Sequence, residues 1–487
     1  MRQGSVAAGL HTTLRAALLA GLTLITVPAQ ADDLRGALTM AYNTNPQLAA
    51  ARAQQRAVDE GVPIARADGM PSASLSATHT EVLKSTDSSG LGPDRQLAGS
   101  VTLGVPIYSG GGVRNAVAAA KTRVEAGQAD LRGAEAGIFS QVVAAYMDVL
   151  LGEAVVGLSR KNVAVLDVNL QATSDRFEIG DLTRTDVAQS QARLALAKGN
   201  TRSAEANLIA AKERYIQYVG TPPVNLEQPP ALPGLPASAE DAVSAALEHN
   251  PDLIAARERS KAADYDIRVA GSQRLPRVEV FTGGSYSDYY GTLGNGGPAF
   301  AQSASGATAG LRATIPLMQG GRTGALRRQA QQRASATLEN EIATERDVIS
   351  QVRASYSSWR ASNDVIVSSQ SAVDAATLSL EGVRAENSVG NRTILDILNA
   401  EQELLNAQVQ LETAKRNAYV AGFSLLAAMG RAEARDLGLD GGALYDPDTN
   451  YNRVRGKFFD WDSDPAPQAK ATRTVDTPAQ DGSIRDK

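Results

Sequence analysis

Residues Ala41–Arg52 read AYNTNPQLAAAR, and residues Ala246–Arg257 read ALEHNPDLIAAR. The dipeptide Asn45-Pro46 thus returns as Asn250-Pro251, 205 residues later, and Pro71 returns as Pro276 at the same spacing. Further along, the spacing is 210. Pro106 matches Pro316, Gln141-Val142 matches Gln351-Val352, and Tyr146 matches Tyr356. Gly180 matches Gly390, Asp186 matches Asp396, and Gly220 matches Gly430. A register held over this length marks an internal duplication. The single change of spacing places an insertion in one loop of the second copy, around Gly291–Pro298.

Both copies carry the same internal order. The first runs over 32–220 and the second over 239–430, joined by a Pro-rich linker at 221–238. Each opens with a helix, Leu34–Asp68 or Ala239–Gln273. Two strand-like segments follow, at about 71–85 and 96–109, or 276–290 and 304–318. A very long helix comes next, Gly112–Glu178 or Arg322–Asn387. A tight glycine turn and a shorter helix end the copy.

The strands are read from alternation. Val101, Leu103, Val105 and Ile107 share one face, with Thr102, Gly104 and Tyr108 on the other. The second copy repeats this with Leu311, Ala313, Ile315 and Leu317. Such segments suit a membrane barrel, or equally an ordinary half-buried sheet.

The long helices carry a seam. Val113, Val117, Ala120, Val124, Gly127, Leu131, Ala134 and Ile138 alternate at spacings of four and three. Leu338, Ile342, Glu345, Ile349, Val352, Tyr356 and Trp359 do the same. This is a coiled-coil heptad pattern. At roughly 1.5 Å per residue, each such helix is about 100 Å long, which no single globular domain needs.

Composition narrows the class. The chain has 487 residues, 48 basic and 53 acidic, with no cysteine and only 5% aromatics. Residues 1–31 read as a signal peptide: Arg2 and Arg15 flank the start of a short apolar run, and Ala29-Gln30-Ala31 supplies small residues for cleavage. Removing them leaves a net-negative chain, which gives no sign of nucleic-acid binding. Without cysteine there is no disulfide and no lipid anchor on cysteine. His79 and His249 stand alone, without metal-ligand spacing. No phosphate-binding loop and no nucleophile motif occurs, so neither an enzyme nor a cofactor is expected. Residues 431–461 read as a segment packed on the helices, and the Pro-rich tail 462–487 as disordered.

Four strands cannot close a barrel. An open sheet in lipid leaves backbone groups unpaired, at several kcal/mol each. Three chains supply twelve strands, so strands in a membrane imply a trimer. The rival reading is a periplasmic structural coiled coil or adaptor without a barrel.

The sequence resembles the TolC family of outer-membrane efflux proteins over nearly all of the mature chain. The strand–strand–helix duplication and the two Asn-Pro pairs match. So do two coil-tip stretches, 177–187 (FEIGDLTRTDV) and 387–402 (NSVGNRTILDILNAEQ). The resemblance implies an α+β membrane protein: a trimeric, 12-stranded outer-membrane β-barrel continuous with a 12-helix periplasmic α-barrel. It implies an exit duct for drugs or proteins, opened at its coil tips by an inner-membrane pump and a periplasmic adaptor. Under this resemblance Asp396 falls on the first acidic gate position, and Asn399 replaces the second acid. Arg392, Thr185 and Asp186 fall on inter-coil latch positions, with Asn387 where a latch tyrosine is expected. Asp186 and Asp396 also suit helix N-termini on charge alone. Gly180 and Gly390 are the tip turns, and Pro71, Pro106, Pro276 and Pro316 mark the strand–helix transitions. The C-terminal stretch 444–461 is similar to the branch that also serves type I protein secretion.

Overall fold

The computed structural model describes residues 33–84, 91–439 and 444–484. The expected signal peptide lies outside the described residues. The first copy contains helices α1 (Leu34–Thr44), α2 (Pro46–Asp59) and α3 (Gly61–Ala67), then strands β1 (Ser72–Glu81) and β2 (Arg95–Tyr108). Helices α4 (Gly112–Glu178) and α5 (Arg184–Val219) complete it. The second copy contains α6 (Ala239–His249), α7 (Pro251–Ser272), β3 (Arg277–Asp288), β4 (Ser303–Thr314), α8 (Arg322–Ser388) and α9 (Ile394–Ala428). A last helix, α10, covers Pro447–Val454.

The opening helix of each copy is broken where the sequence reads as continuous. Proline lacks an N–H and pushes the preceding residue out of the helical region, and Asn45 is extended at φ −67°, ψ 124°. That asparagine then serves two helices. Its Oδ1 accepts from the N–H groups of Gln47 and Leu48, capping α2. Its Nδ2 donates to Tyr218 O, a carbonyl that the end of α5 leaves open. Asn250 repeats the pattern, accepting from Leu253 N and donating to Ala428 O. The repeated arginine is explained too: Arg52 and Arg257 each donate to a carbonyl ten residues back, Tyr42 O and Leu247 O, at 3.0 Å. The duplicated motif therefore ties the start of each copy to its end. Only the first copy breaks again, at Glu60. There Gly61 and Pro63 stand where the second copy has Asp266 and Arg268.

The four strands form one antiparallel sheet in the order β1-β2-β3-β4. β1 and β4 are its open edges. Apolar Val101, Leu103 and Leu311 are exposed on it, as a lipid-facing band requires. Pro71 and Pro276 immediately precede β1 and β3. Pro106 sits inside β2, where the register to β3 slips between Pro106 and Tyr108. Pro316 follows β4, which ends at Thr314, so Ile315 and Leu317 lie beyond the ladder they were expected to join.

The α-helical core forms where α1, α4, α5 and α9 converge. Phe139, Tyr146, Tyr215 and Phe423 are fully buried there, and Tyr146 Oη donates to Glu227 O at 2.7 Å. Burying each such ring contributes roughly 1.5–3 kcal/mol. One stretch of α4, with mean hydropathy 1.7, is apolar enough to cross a membrane, but half of it is buried inside the protein. It is the core of the helical wall. The two heptad seams fare differently. Val124, Leu131 and Ile138 of α4 are buried, whereas Leu338 and Ile342 of α8 are 54% and 46% exposed. The α8 seam is open at its first two positions and buried at Val352.

The C-terminal region folds back on the helices. Asn450 of α10 donates to buried Asp59 at 2.7 Å, and burial pushes that carboxyl up. The tail differs from its compositional reading as disordered. Lys212 Nζ donates to the carbonyls of Asp481 and Ser483, Arg160 donates to Gly482 O, and Ile484 packs on the main core. Irregular chain finds its hydrogen-bond partners here on two long basic side chains, a pairing that composition does not reveal.

Candidate functional site

At the end of the helices far from the sheet, each copy makes a hairpin. α4 ends at Glu178 and α8 at Ser388, and Gly180 and Gly390 both take φ +83°. The N–H groups of Asp181 and Asn391 return to Arg176 O and Glu386 O, closing each helix end. Thr183 and Thr393 then cap α5 and α9. In each, the threonine hydroxyl accepts from the aspartate N–H at 3.3 Å. The aspartate Oδ2 accepts from the threonine N–H at 2.9 Å and its hydroxyl at 2.7 Å. These reciprocal bonds are capping boxes. Hydrogen bonds from Thr183 and Thr393 hold the carboxyls of Asp186 and Asp396 below their ordinary range. Both aspartates are therefore engaged in their own helix starts.

The sequence expectation that Arg392 meets Thr185 or Asp186 differs from what one protomer shows. Arg392 Nε donates to Glu386 Oε2 at 2.7 Å, across its own turn, and this bond raises its pKa. Asn387 Nδ2 donates to Arg392 O, tightening the same turn. Thr185 is exposed in the first turn of α5. The other hairpin is pinned by Arg176 and Asp181 at 2.6 Å, so its bridge starts at the matching position with reversed polarity and closes one residue earlier in the turn.

The bonds that join the two hairpins lie higher up. Leu166, Leu194, Ala197 and Leu398 form an apolar junction between them. Beside it, Arg193 Nη2 of α5 donates to Asn399 Oδ1 of α9 at 2.7 Å. Asn169 of α4 donates to both Glu401 oxygens at 2.9 Å, and Arg384 of α8 donates to Glu401 Oε1 at 3.0 Å. Glu401 is buried. Further up, Asp148 of α4 accepts from Arg416 of α9 and Arg214 of α5. Sequence reasoning found Asn399 but missed Arg193, Asn169, Glu401 and Arg384. One signal was available: Ile394, Leu398, Glu401 and Leu405 are spaced 4, 3, 4, which puts a carboxylate on a heptad seam.

Two lone histidines show no ligand geometry. His79 lies edge-on to Tyr290, with ring centroids 5.9 Å apart, and His249 pairs loosely with Glu248 at 3.9 Å. Among the described residues no His, Asp and Glu group is arranged to hold a metal.

A duplicated strand–strand–helix–helix chain with an open four-stranded sheet and capped coil tips matches a family description. The model for "Outer membrane efflux protein" fits residues 37–221 and 242–431. The chain belongs to the outer membrane efflux protein family. The outer membrane efflux protein BepC of Brucella suis biovar 1 (strain 1330) is 33% identical, covering 91% of this chain and 95% of that one. The outer membrane protein TolC of Escherichia coli (strain K12) is 28% identical, covering 86% and 87%. The solved outer membrane channel CmeC of Campylobacter jejuni superposes with a TM-score of 0.71 at 16% identity, covering 87% and 89%. The family likeness supports the duct over the rival coiled coil without a barrel. As an outer membrane efflux protein, the chain is one third of a duct. Three such four-stranded sheets make a twelve-stranded barrel in the outer membrane, continuous with a helical tunnel in the periplasm.

Proposed function

We propose that this duct is the outer-membrane end of a pump-driven export route, and that the junction between its two hairpins is the gate. The junction carries this reading. It is the place where the α4–α5 and α8–α9 coils meet through directed polar bonds, from Arg193 to Asn399 and from Asn169 to Glu401, whose carboxylate also takes Arg384 of its own hairpin. Such bonds hold a closed arrangement, yet Asn399 and Arg384 are exposed partners that water can replace. An adaptor gripping the hairpins can therefore part them at modest cost. An inner-membrane pump supplies the energy, since the sequence carries no phosphate-binding loop. Cargo passes without chemical change, as drug, protein or both.

Asp396 has a second role in this reading. Its Oδ2 serves the cap, which leaves Oδ1 free for a cation at a threefold pore mouth. Arg392 and the Thr185-Asp186 pair link neighbouring protomers rather than one chain's own coils. Conductance of single trimers in planar bilayers tests the gate. Arg193→Ala with Glu401→Gln should raise conductance. Unchanged conductance in this double variant removes the junction from the gate.

A further inference from the structure

At the opposite end of the helices, α10 packs against α3 and the first turns of α4. A cavity of about 600 Å³ lies between them. Its apolar side is Val117 and Tyr451, and its polar side is four cations: Arg66, Arg114, Lys121 and Arg455. No carboxylate lines it. Among the described residues, none of these four makes an ion pair. Arg66 Nη1 gives one bond, to Arg455 O at 3.2 Å. All four are exposed, so water screens their mutual repulsion, yet an anion placed among them meets four cationic donors.

The cavity's height is set by the chain. α3 runs into β1 and β2 runs into α4, so Arg66 and Arg114 lie just below the barrel. At about 1.5 Å per residue, Lys121 is only about 14 Å beyond the start of α4. With the sheet in the outer membrane, the first turns of α4 face the periplasmic leaflet.

A second feature adjoins it. The chain leaves α10 at Arg455 and makes a loop closed by its own ion pairs. Arg453 clasps Asp464 with 2.7 and 2.8 Å bonds, and Lys457 reaches Asp462 at 2.9 Å. These pairs neutralise two of the loop's acids, Asp462 and Asp464, which stay 46% and 58% exposed beside exposed Asp460. Alongside them the loop displays three aromatic rings: Phe458 is 53% exposed, Phe459 77% and Trp461 97%. The two phenyl rings meet edge-on at 5.6 Å. A preformed loop that presents three bare aromatic rings beside a cationic cavity has the make-up of a bilayer-interface anchor.

We propose that the 455–464 loop inserts its aromatic rings into the periplasmic leaflet of the outer membrane, while the Arg66–Arg114–Lys121–Arg455 cavity takes the phosphate of an anionic phospholipid. The anchor sets the height of the duct and resists its being pulled inward by a pump. The barrel alone resists such pull by hydrophobic mismatch only.

The test uses the whole trimer in vesicles. The chain has two tryptophans, and Trp359 lies about 55 Å down α8 from its start. In Trp359→Phe, Trp461 is the sole reporter. In phosphatidylcholine vesicles with brominated acyl chains its emission should shift to the blue and be quenched. Adding phosphatidylglycerol should deepen the quenching, and inorganic phosphate should neither mimic nor abolish that effect. Arg114→Gln with Lys121→Gln should weaken the preference for phosphatidylglycerol roughly 30-fold, taking about 1 kcal/mol per basic residue, while leaving the phosphatidylcholine quenching in place. Conductance of the same vesicles confirms that barrels are inserted. Water-exposed, unquenched Trp461 in conducting vesicles overturns the anchor. An undiminished phosphatidylglycerol effect in the double variant, or its loss to inorganic phosphate, overturns the lipid site.

Discussion

Asn399 of α9 accepts a 2.7 Å hydrogen bond from Arg193 of α5, which links the two hairpins of one protomer. Two consequences follow for a residue expected to line the gate. Arg193→Ala should loosen the closed state by up to about 1 kcal/mol per protomer, the scale of an exposed polar pair, and raise single-channel conductance. Asn399→Asp should do the opposite. Its new carboxylate pairs with Arg193, so conductance should fall and block by trivalent cations should not increase. A stronger cation block in Asn399→Asp would show that this position faces the pore and not the junction.

Glu401 is the buried centre of the same junction. Glu401→Ala leaves Asn169 and Arg384 without their acceptor, at about 1.5–3 kcal/mol for bonds to a charged group. Amide exchange at residues 160–200 and 380–405 should quicken, while exchange around Tyr146 stays slow. Uniformly faster exchange would mean that Glu401 holds the whole fold and not the junction alone.

The caps make the tips acid-labile. The carboxyls of Asp186 and Asp396 lie below their ordinary value of 3.8 in the folded protein. A depressed carboxyl contributes stability above its unfolded value, and that contribution is lost as pH falls through the folded one. The hairpins should therefore fray as pH drops below about 4. Asp396→Asn should fray its hairpin at neutral pH. It should also weaken cation block at the tip, with the trimer intact by mass measurement in detergent. Block equal to wild type would take Asp396 out of the pore mouth.

The tail is expected to act as a strap. Removing residues 465–487 takes away the carbonyl partners of Arg160 and Lys212 and the packing of Ile484. The truncated trimer should still assemble but melt several degrees lower, about 1–3 kcal/mol being lost. Limited proteolysis should then cut the α4–α5 face sooner. An unchanged melting temperature would return the tail to the disordered class.

Local pattern carried much of the fold. Heptads marked both long helices, and the shared positions of Gly180 and Gly390 marked both turns, because a reversal there needs φ near +83°. The break at Asn45-Pro46 was legible in its proline and went unread, since periodicity runs across it. The junction was not legible. Arg193 and Asn399 are 206 residues apart, and nothing local says that two exposed polar side chains meet. The same holds for Arg392, whose partner depends on which acid the turn brings nearest. Lys212 and Arg160 show the limit of composition, since they order a tail that would be structureless alone.

The reversed polarity of the two turn bridges bears on how a partner docks. At the end of α4 the base, Arg176, precedes the turn and the acid follows. At the end of α8 the acid, Glu386, precedes it and Arg392 follows. The duplication thus copies shape without copying charge. Seen end-on, a trimer offers six hairpins of one outline carrying two alternating electrostatic imprints. A clasp fitted to one kind finds three seats and not six, and a one-hairpin rotation sets like charge against like. If an adaptor grips the hairpins as proposed, the turns would index the angular position at which it locks.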